Sequence, residues 1–340
     1  MSHRLIMRGT AATSAAPARE RSICVGTITR GRPLMLQNLL NSYAVMYVPA
    51  DVRLDFVIVE NNDRFTLQDI VTGFRERLPQ WSVRYELEPR LGIAFARNRV
   101  LDCAHGAGND LLTFADDDEA VEPDWLVQLL AERDAFNLDV VGSPVRIAPA
   151  GPDASCWQKL VWSGIDRMNR HSEAKLLRRR NNGKVEQIPI ATGSWMGSLS
   201  FLRRTGLRFE AGLGLAGGED GILWAEARKL GANTGWTPFA VAYETVPEDR
   251  LSLFYRYKRS RDETIAKFRR RLDSPKRGVL LRLFGSLVGR TLSLCLCIAT
   301  IPFTRGQTLV RAAWHVGSIA GIIQACMGRT SLHYEHVTGS

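Results

Sequence analysis

The stretch Leu111 to Leu126, LLTFADDDEAVEPDWL, constrains this chain more than any other, because an apolar run stops abruptly at three adjacent aspartates. Leu111, Leu112, Thr113, Phe114 and Ala115 predict a strand covered on both faces, which is the habit of a parallel sheet inside an α/β fold. Asp116, Asp117 and Asp118 then stand side by side at its end. Like charges this close are unfavourable unless a cation or a hydrogen-bond network neutralises them. A hard divalent ion, Mg²⁺ or Mn²⁺, suits an all-carboxylate donor set and keeps part of its shell free for phosphates. A solvated loop or a helix cap is the plainer alternative for an acidic triplet.

The segments before this stretch repeat one pattern. Ser22 to Thr27 (SICVGT) is a short apolar strand, and after the turn Arg30, Gly31, Arg32, Pro33 the residues Leu34, Leu36, Leu39 and Leu40 recur at helical spacing. Asp55 to Glu60 (DFVIVE) is a second strand, closed by Asn61, Asn62 and Asp63. Polar residues at such an end are candidates for ligand recognition, since open α/β sheets bind ligands beyond the carboxyl ends of their strands. They equally suit the cap of a helix over Phe65 to Leu78. Trp81 to Glu86 alternates as a third strand, and Gly92 then precedes a helix carrying Arg97 and Asn98. A glycine allows close backbone approach there, a helix N-terminus favours an anion, and Arg90 or Arg97 supplies a cation. Strands alternating with helices predict a mostly parallel sheet.

Further on, Asp139 to Ile147 reads as another strand, and Arg178, Arg179, Arg180 with Asn181, Asn182, Gly183 as a mobile solvated loop. Ile190 to Phe201 reads as a strand in which Trp195 belongs to the core or offers a platform for a sugar. In Gly214 to Trp224 (GLAGGEDGILW), Glu219 and Asp220 open a helix. The helix dipole alone favours acids in a first turn, whereas a displacement reaction needs a carboxylate that removes the attacking hydroxyl's proton.

The chain has 340 residues, 45% of them hydrophobic, enough for a substantial core. Its net charge of +10 is concentrated: ten Lys or Arg face three acids between Arg256 and Arg277. No aromatic-interleaved platform accompanies that run, which argues against nucleic acid as a partner. The six cysteines form neither a CxxC pair nor a regular framework, as in a reduced compartment. Residues 1–20 read as a disordered leader and 331–340 as a tail. Between them, 256–330 is basic and then apolar, interrupted by Arg282, Arg290, Arg311 and His315. Its longest uncharged run, Thr291 to Thr304, is too short to span a bilayer, so two interfacial helices at an anionic membrane surface are expected. A helical hairpin packed on protein is the alternative.

Together these motifs resemble the inverting family 2 glycosyltransferases of the bacterial exopolysaccharide and surface-glycan type, over roughly Ser22 to Arg261. The resemblance implies a GT-A fold over 21–255 with a C-terminal apolar helical appendage. It also implies a nucleotide-diphosphate donor, UDP-linked in the first instance, and a glycan or lipid-linked acceptor at the cytoplasmic face of the inner membrane. By the same resemblance, Thr27 faces the base, as do Glu60 and Asn61, where the family usually has an Asp-Asp or Asp-Asn pair. Gly92 and Arg97 match the segment beneath the donor diphosphate. Asp116, with Asp117 beside it, belongs to the nucleotide site, and Asp118 ligates the metal. Glu244 replaces a frequent histidine near that metal as an oxygen ligand. Asp220 is the base, with Glu219 as its acceptor-binding neighbour. No histidine falls in a matched motif, which argues against zinc. Two other readings compete. A sugar nucleotidyltransferase lacks its glycine-rich, lysine-bearing signature here, and an inert membrane-associated subunit would not need intact Asp116, Asp118 and Asp220.

Overall fold

The structure is a computed structural model and describes residues 20–191, 193–211, 219–273 and 279–328, without the side chains of 219, 220, 269–273 and 279–282. The leader, the tail and the glycine run before Glu219 lie outside the described residues. In chain order the elements are β1 (Arg21–Thr29), α1 (Pro33–Tyr43), β2 (Val52–Glu60), α2 (Gln68–Arg77), β3 (Ser82–Leu87), α3 (Ile93–Gly106), β4 (Leu111–Phe114), β5 (Glu119–Val121) and α4 (Trp125–Phe136). There follow β6 (Val140–Gly142), β7 (Val145–Ile147), α5 (Cys156–Asn181), β8 (Trp195–Ser198), α6 (Leu199–Thr205), α7 (Glu219–Lys229), β9 (Thr234–Trp236) and β10 (Ala242–Glu244). The chain closes with α8 (Leu253–Asp273), α9 (Val279–Thr300) and α10 (Thr308–Cys326).

Seven strands form the main sheet in the order β3-β2-β1-β4-β8-β6-β9. β1 pairs in parallel with β2 and β4, and β2 with β3, so the carboxyl ends of these strands share one edge. β8 runs antiparallel to β4 and β6, which reverses the sheet next to the strand bearing the aspartates. A second sheet, β5-β10-β7, stands at that edge. The reading of strands followed by helices and a mostly parallel sheet is borne out.

Both faces of the main sheet are covered. Leu36, Leu39, Phe56, Phe74 and Trp125 pack on one side, and Val100, Phe114, Trp195, Leu199 and Phe209 on the other. Burial on this scale supplies the main driving force, at about 25 cal/mol per Å² of apolar surface. At Gly26 a Cβ would lie 2.5 Å from Val100 and 2.8 Å from Phe114, so only glycine lets α3 sit this close to β1. Trp195 is core: its ring stacks on Phe114 with centroids 5.9 Å apart.

Three expectations are corrected. The strand over Asp139 to Ile147 is two short strands in different sheets, because Pro144 between them has no N–H to give a ladder. The strand over Ile190 to Phe201 lasts only from Trp195 to Ser198; the Ser198 hydroxyl then accepts from the Phe201 N–H and opens α6. Arg178 to Arg180 is no loop but the last turn of α5, where cations complement exposed carbonyls. Arg180 pairs there with Glu132 and donates to the Trp236 carbonyl.

The C-terminal helices differ from one another. α10 is docked on protein: a Cβ at Gly317 would lie 2.3 Å from the Tyr257 carbonyl oxygen, and one at Gly321 2.5 Å from that of Arg261. Ser260 donates to the Trp314 carbonyl at 2.6 Å. α9 instead exposes Phe284, Leu292, Leu296 and Ile298. Both helices are long and apolar enough to cross a membrane by length and composition, over Leu283–Thr300 and Thr308–Cys326. Arg290 does not cut α9 short, because its guanidinium folds back onto Ser286 and lies over the Phe268 ring.

Candidate active site

The site is built on the carboxyl edge of β1, β2 and β4. At the end of β2, Asn61 is 7% exposed and spends its whole amide on the neighbouring loop. Its Nδ2 donates to the carbonyls of Glu88 and Arg90, each at 2.8 Å, and its Oδ1 accepts from the Gly92 N–H at 2.9 Å. Gly92, at φ 145, then opens α3, a conformation that residues with a Cβ rarely adopt. Asn61 thus fixes the loop at the start of α3. Glu60 is likewise closed: its carboxylate accepts from the Thr66 N–H at 2.8 Å and from the hydroxyls of Thr66 and Tyr85. Burial raises the Glu60 carboxyl, but these donors outweigh it and hold the group below its ordinary range. Thr27 is buried inside β1 with its hydroxyl on that of Tyr43 at 3.2 Å. The side chains of Thr27, Glu60 and Asn61 thus all make internal contacts at this edge.

The aspartates divide by position. Asp117 points inward, accepting from the Thr29 hydroxyl at 2.8 Å and from Arg32 at 2.9 Å. Arg32 also reaches Asp118 at 3.2 Å. Asp116 is the most open of the three, its side chain 36% exposed, and is held by the buried Arg97 at 2.8 Å. The Arg97 guanidinium lies over the Phe209 ring at 5.7 Å. Arg97, one turn into α3, therefore steadies Asp116, while Arg90 is bound to Glu88 at 2.8 Å.

A fourth acid was not anticipated. Glu119 is buried in β5, accepts from the Asp116 N–H at 3.0 Å, and lies so near Gly193 that a Cβ there would be 2.4 Å from its Oε1. Glu244 is its cross-strand partner on β10, and the Thr245 N–H donates to the Asp118 carbonyl at 2.7 Å. Thr29 and Arg32 were also missed; Arg32 stood in the turn after the first strand, but nothing in its spacing pointed to Asp117.

Burial of carboxylates that stand close to one another is the main electrostatic fact of the site. Burial, with Asp117, Glu244 and Asp116 close by, pushes the Asp118 carboxyl up to about 7 against the pull of Arg32. Burial and Asp116 hold Glu119 well above its ordinary range. Asp117 is raised by burial despite Arg32 and Thr29. Among the described residues no three acids already converge as a metal cluster. The donor set is nonetheless all oxygen, and a divalent cation at Asp118 and Glu244 would relieve the repulsion that raises Asp118, so the residues fit Mg²⁺ or Mn²⁺. Glu219 and Asp220 form the first turn of α7; their side chains lie outside the described residues.

Residues 22–202 match the family described as Glycosyl transferase family 2. The chain is 31% identical over 316 residues to the succinoglycan biosynthesis protein ExoM of Rhizobium meliloti (strain 1021), covering 90% of this chain and 94% of that one. Among solved structures, the mannosyltransferase PcManGT from Pyrobaculum calidifontis, in complex with GDP-Man and Mn²⁺, superposes with a TM-score of 0.53 at 16% identity, over 93% of this chain and 77% of that one. S. aureus TarS 1–349 in complex with UDP-GlcNAc gives 0.49 at 14% identity, over 94% and 95%.

Proposed function

The chain belongs to glycosyl transferase family 2, and on that premise we propose that it transfers a sugar from a nucleotide diphosphate, UDP in the first instance, to a glycan or lipid-linked acceptor in exopolysaccharide assembly. The observation that carries this reading is the group of acids at the carboxyl edge of the sheet, where burial and the neighbouring carboxylates Asp117, Glu244 and Asp116 push Asp118 up to about 7. Open α/β sheets take nucleotides at such an edge. The ExoM relative is a succinoglycan biosynthesis protein, and the mannosyltransferase neighbour holds GDP-Man with Mn²⁺.

In the proposed chemistry the acceptor hydroxyl oxygen attacks the anomeric carbon, and the bond from that carbon to the diphosphate oxygen breaks with its electron pair leaving on the diphosphate. The hydroxyl proton passes to Asp220, and the configuration inverts. Asp118 and Glu244 would hold the divalent ion, which when bound neutralises the charge gained by the leaving diphosphate. Asp116, steadied by Arg97, faces the nucleotide, and Asn61 keeps the Gly92 loop and the start of α3 in place for an anion. Asp117 acts through Arg32 and Thr29 to set the aspartate turn. The exposed apolar side of α9 lies in the interface of the cytoplasmic leaflet, and the basic run that precedes it in the sequence favours an anionic surface.

The test is transfer from radiolabelled UDP-sugars to a lipid-linked oligosaccharide by the purified protein, with Mn²⁺. Wild type transfers label, whereas Asp220→Asn binds UDP as well as wild type and transfers none. Failure with UDP-, GDP- and dTDP-sugars alike, in a protein that binds none of the three nucleotides, overturns the reading.

A further inference from the structure

Away from the aspartates, a cavity of about 270 Å³ opens between α5, α8 and α10. That is near the lower end of small-molecule sites, about 300 to 1,000 Å³. Glu244 forms part of its wall, so the cavity adjoins the acid cluster, and Met168, Asn169 and Trp314 line it with Arg256 and Arg259. Arg256 and Arg259 are three apart on α8, and residues at that spacing stand on one helix face. Their situations differ. Arg259 is paired with Glu263 at 2.8 Å, and Arg261 beyond it with Asp262 at 2.8 Å. Arg256 is 9% exposed, and its buried Nε has no hydrogen-bond partner among the described residues.

A buried guanidinium is costly unless paired, because the charge has left water without compensation. Burial first and Arg259 second pull the Arg256 guanidinium down to about 10, against a weaker opposing pull from Glu244. Of the two acids on the wall, Glu244, which pulls more on Arg256, also lies close to Asp118 and is taken as a metal ligand, and Glu263 is paired with Arg259. A positive charge whose Nε has no hydrogen-bond partner among the described residues therefore lies in the wall of a space of ligand size. Planar guanidinium donors match the oxygens of a phosphate group bidentately.

We infer that this cavity is a phosphate-oxyanion site in which Arg256 is the principal ligand and a diphosphate is the group received. The inference rests on the glycosyltransferase reading, which supplies two sources of that chemistry: the nucleotide donor, reaching past Glu244, and a lipid-linked acceptor. α10 forms one wall of the cavity and packs beside the apolar α9, which places an amphiphilic acceptor within reach of both.

The experiment is calorimetric titration of the full-length protein, as wild type and as Arg256→Met, with two pairs of probes in the presence of Mn²⁺. UDP and uridine report the donor; farnesyl diphosphate and farnesol report the lipid. Arg256→Met should lower affinity for one diphosphate probe at least tenfold and leave its phosphate-free partner unchanged, and the probe affected identifies the source. Because the variant removes an uncompensated buried charge at similar volume, its thermal midpoint without ligand should equal or exceed that of wild type, while the diphosphate should raise the midpoint of wild type alone. Arg256→Lys, which keeps the charge and loses the fork, should fall between the two. Binding of both diphosphates by Arg256→Met with wild-type affinity overturns the site alone and leaves the family reading standing. A wild type that binds neither diphosphate overturns both.

Discussion

Asn61 and Arg256 are both buried and polar, yet one has a partner for each of its amide atoms and the other has a buried nitrogen with none among the described residues. Asn61 sits under the carboxyl edge of the sheet, where Glu60, Asp117 and Thr29 are also closed on neighbours. Arg256 sits in the wall shared by α5, α8 and α10. The difference separates two tasks. Groups that satisfy one another hold a loop or a turn in place, and groups left over face what the protein binds. A substitution in the first region should therefore cost stability, and one in the second should cost binding and little else.

The largest effect is expected in the closed region. Asn61→Leu removes the partners of two carbonyls and the Gly92 N–H at once, and each buried group left unpaired costs about 1 to 3 kcal/mol. Denaturant unfolding should show a loss of about 3 kcal/mol, and a loss below about 0.5 kcal/mol would erase the contrast with Arg256.

Next comes the seam that carries the cavity wall. Gly321→Val drives a branched side chain against the Arg261 carbonyl and Thr264, and overpacking of this kind costs about 1 to 3 kcal/mol. Leu292→Ser on the open side of α9 should change stability by less than about 0.5 kcal/mol while weakening binding to vesicles that contain anionic lipid. Equal destabilisation by the two would mean that α9 is covered by protein.

A smaller effect is set by pH. Asp118 has its native pKa raised to about 7 from 3.8, so the native state holds this proton more tightly than the unfolded chain. The stability this group contributes is present below 3.8 and is lost as pH rises through about 7, so the metal-free protein should be less stable at pH 8 than at pH 5 as far as Asp118 is concerned. Metal binding has the opposite sign, since the ligand must be deprotonated. Mn²⁺ affinity should fall by up to about tenfold per unit below pH 7, and Asp118→Asn should remove that dependence. Calorimetry across this range decides the point.

What was legible in the sequence was local. Five residues from Leu111 to Ala115 followed by aspartates gave a strand and its polar end, because burial and a turn leave their marks on neighbouring positions. The aspartate triplet was read the same way, whereas Trp195 stayed open between core and a sugar platform until its stacking on Phe114 was seen. Asn61 could not be assigned, since its partners lie near position 90 and come together only when β2 and the start of α3 share an edge. Arg180 looked solvated beside Asn and Gly, and only its distant partner Glu132 shows otherwise. Glu119 stood next to the triplet, yet its burial against Gly193 depends on β8 and the segment before it. Arg256 was hidden in a basic run, and what sets it apart is a buried Nε without a partner among the described residues, which no pattern of neighbours records.

The proposed activity depends on a metal-dependent nucleotide site at the carboxyl edge of the sheet. Its most direct test is calorimetric titration of UDP into the purified protein, with and without Mn²⁺, for wild type and Asp118→Asn. Wild type should bind UDP only with Mn²⁺, and the variant should lose at least about tenfold, or 1.4 kcal/mol. Equal binding by the two proteins, or binding indifferent to Mn²⁺, would contradict it.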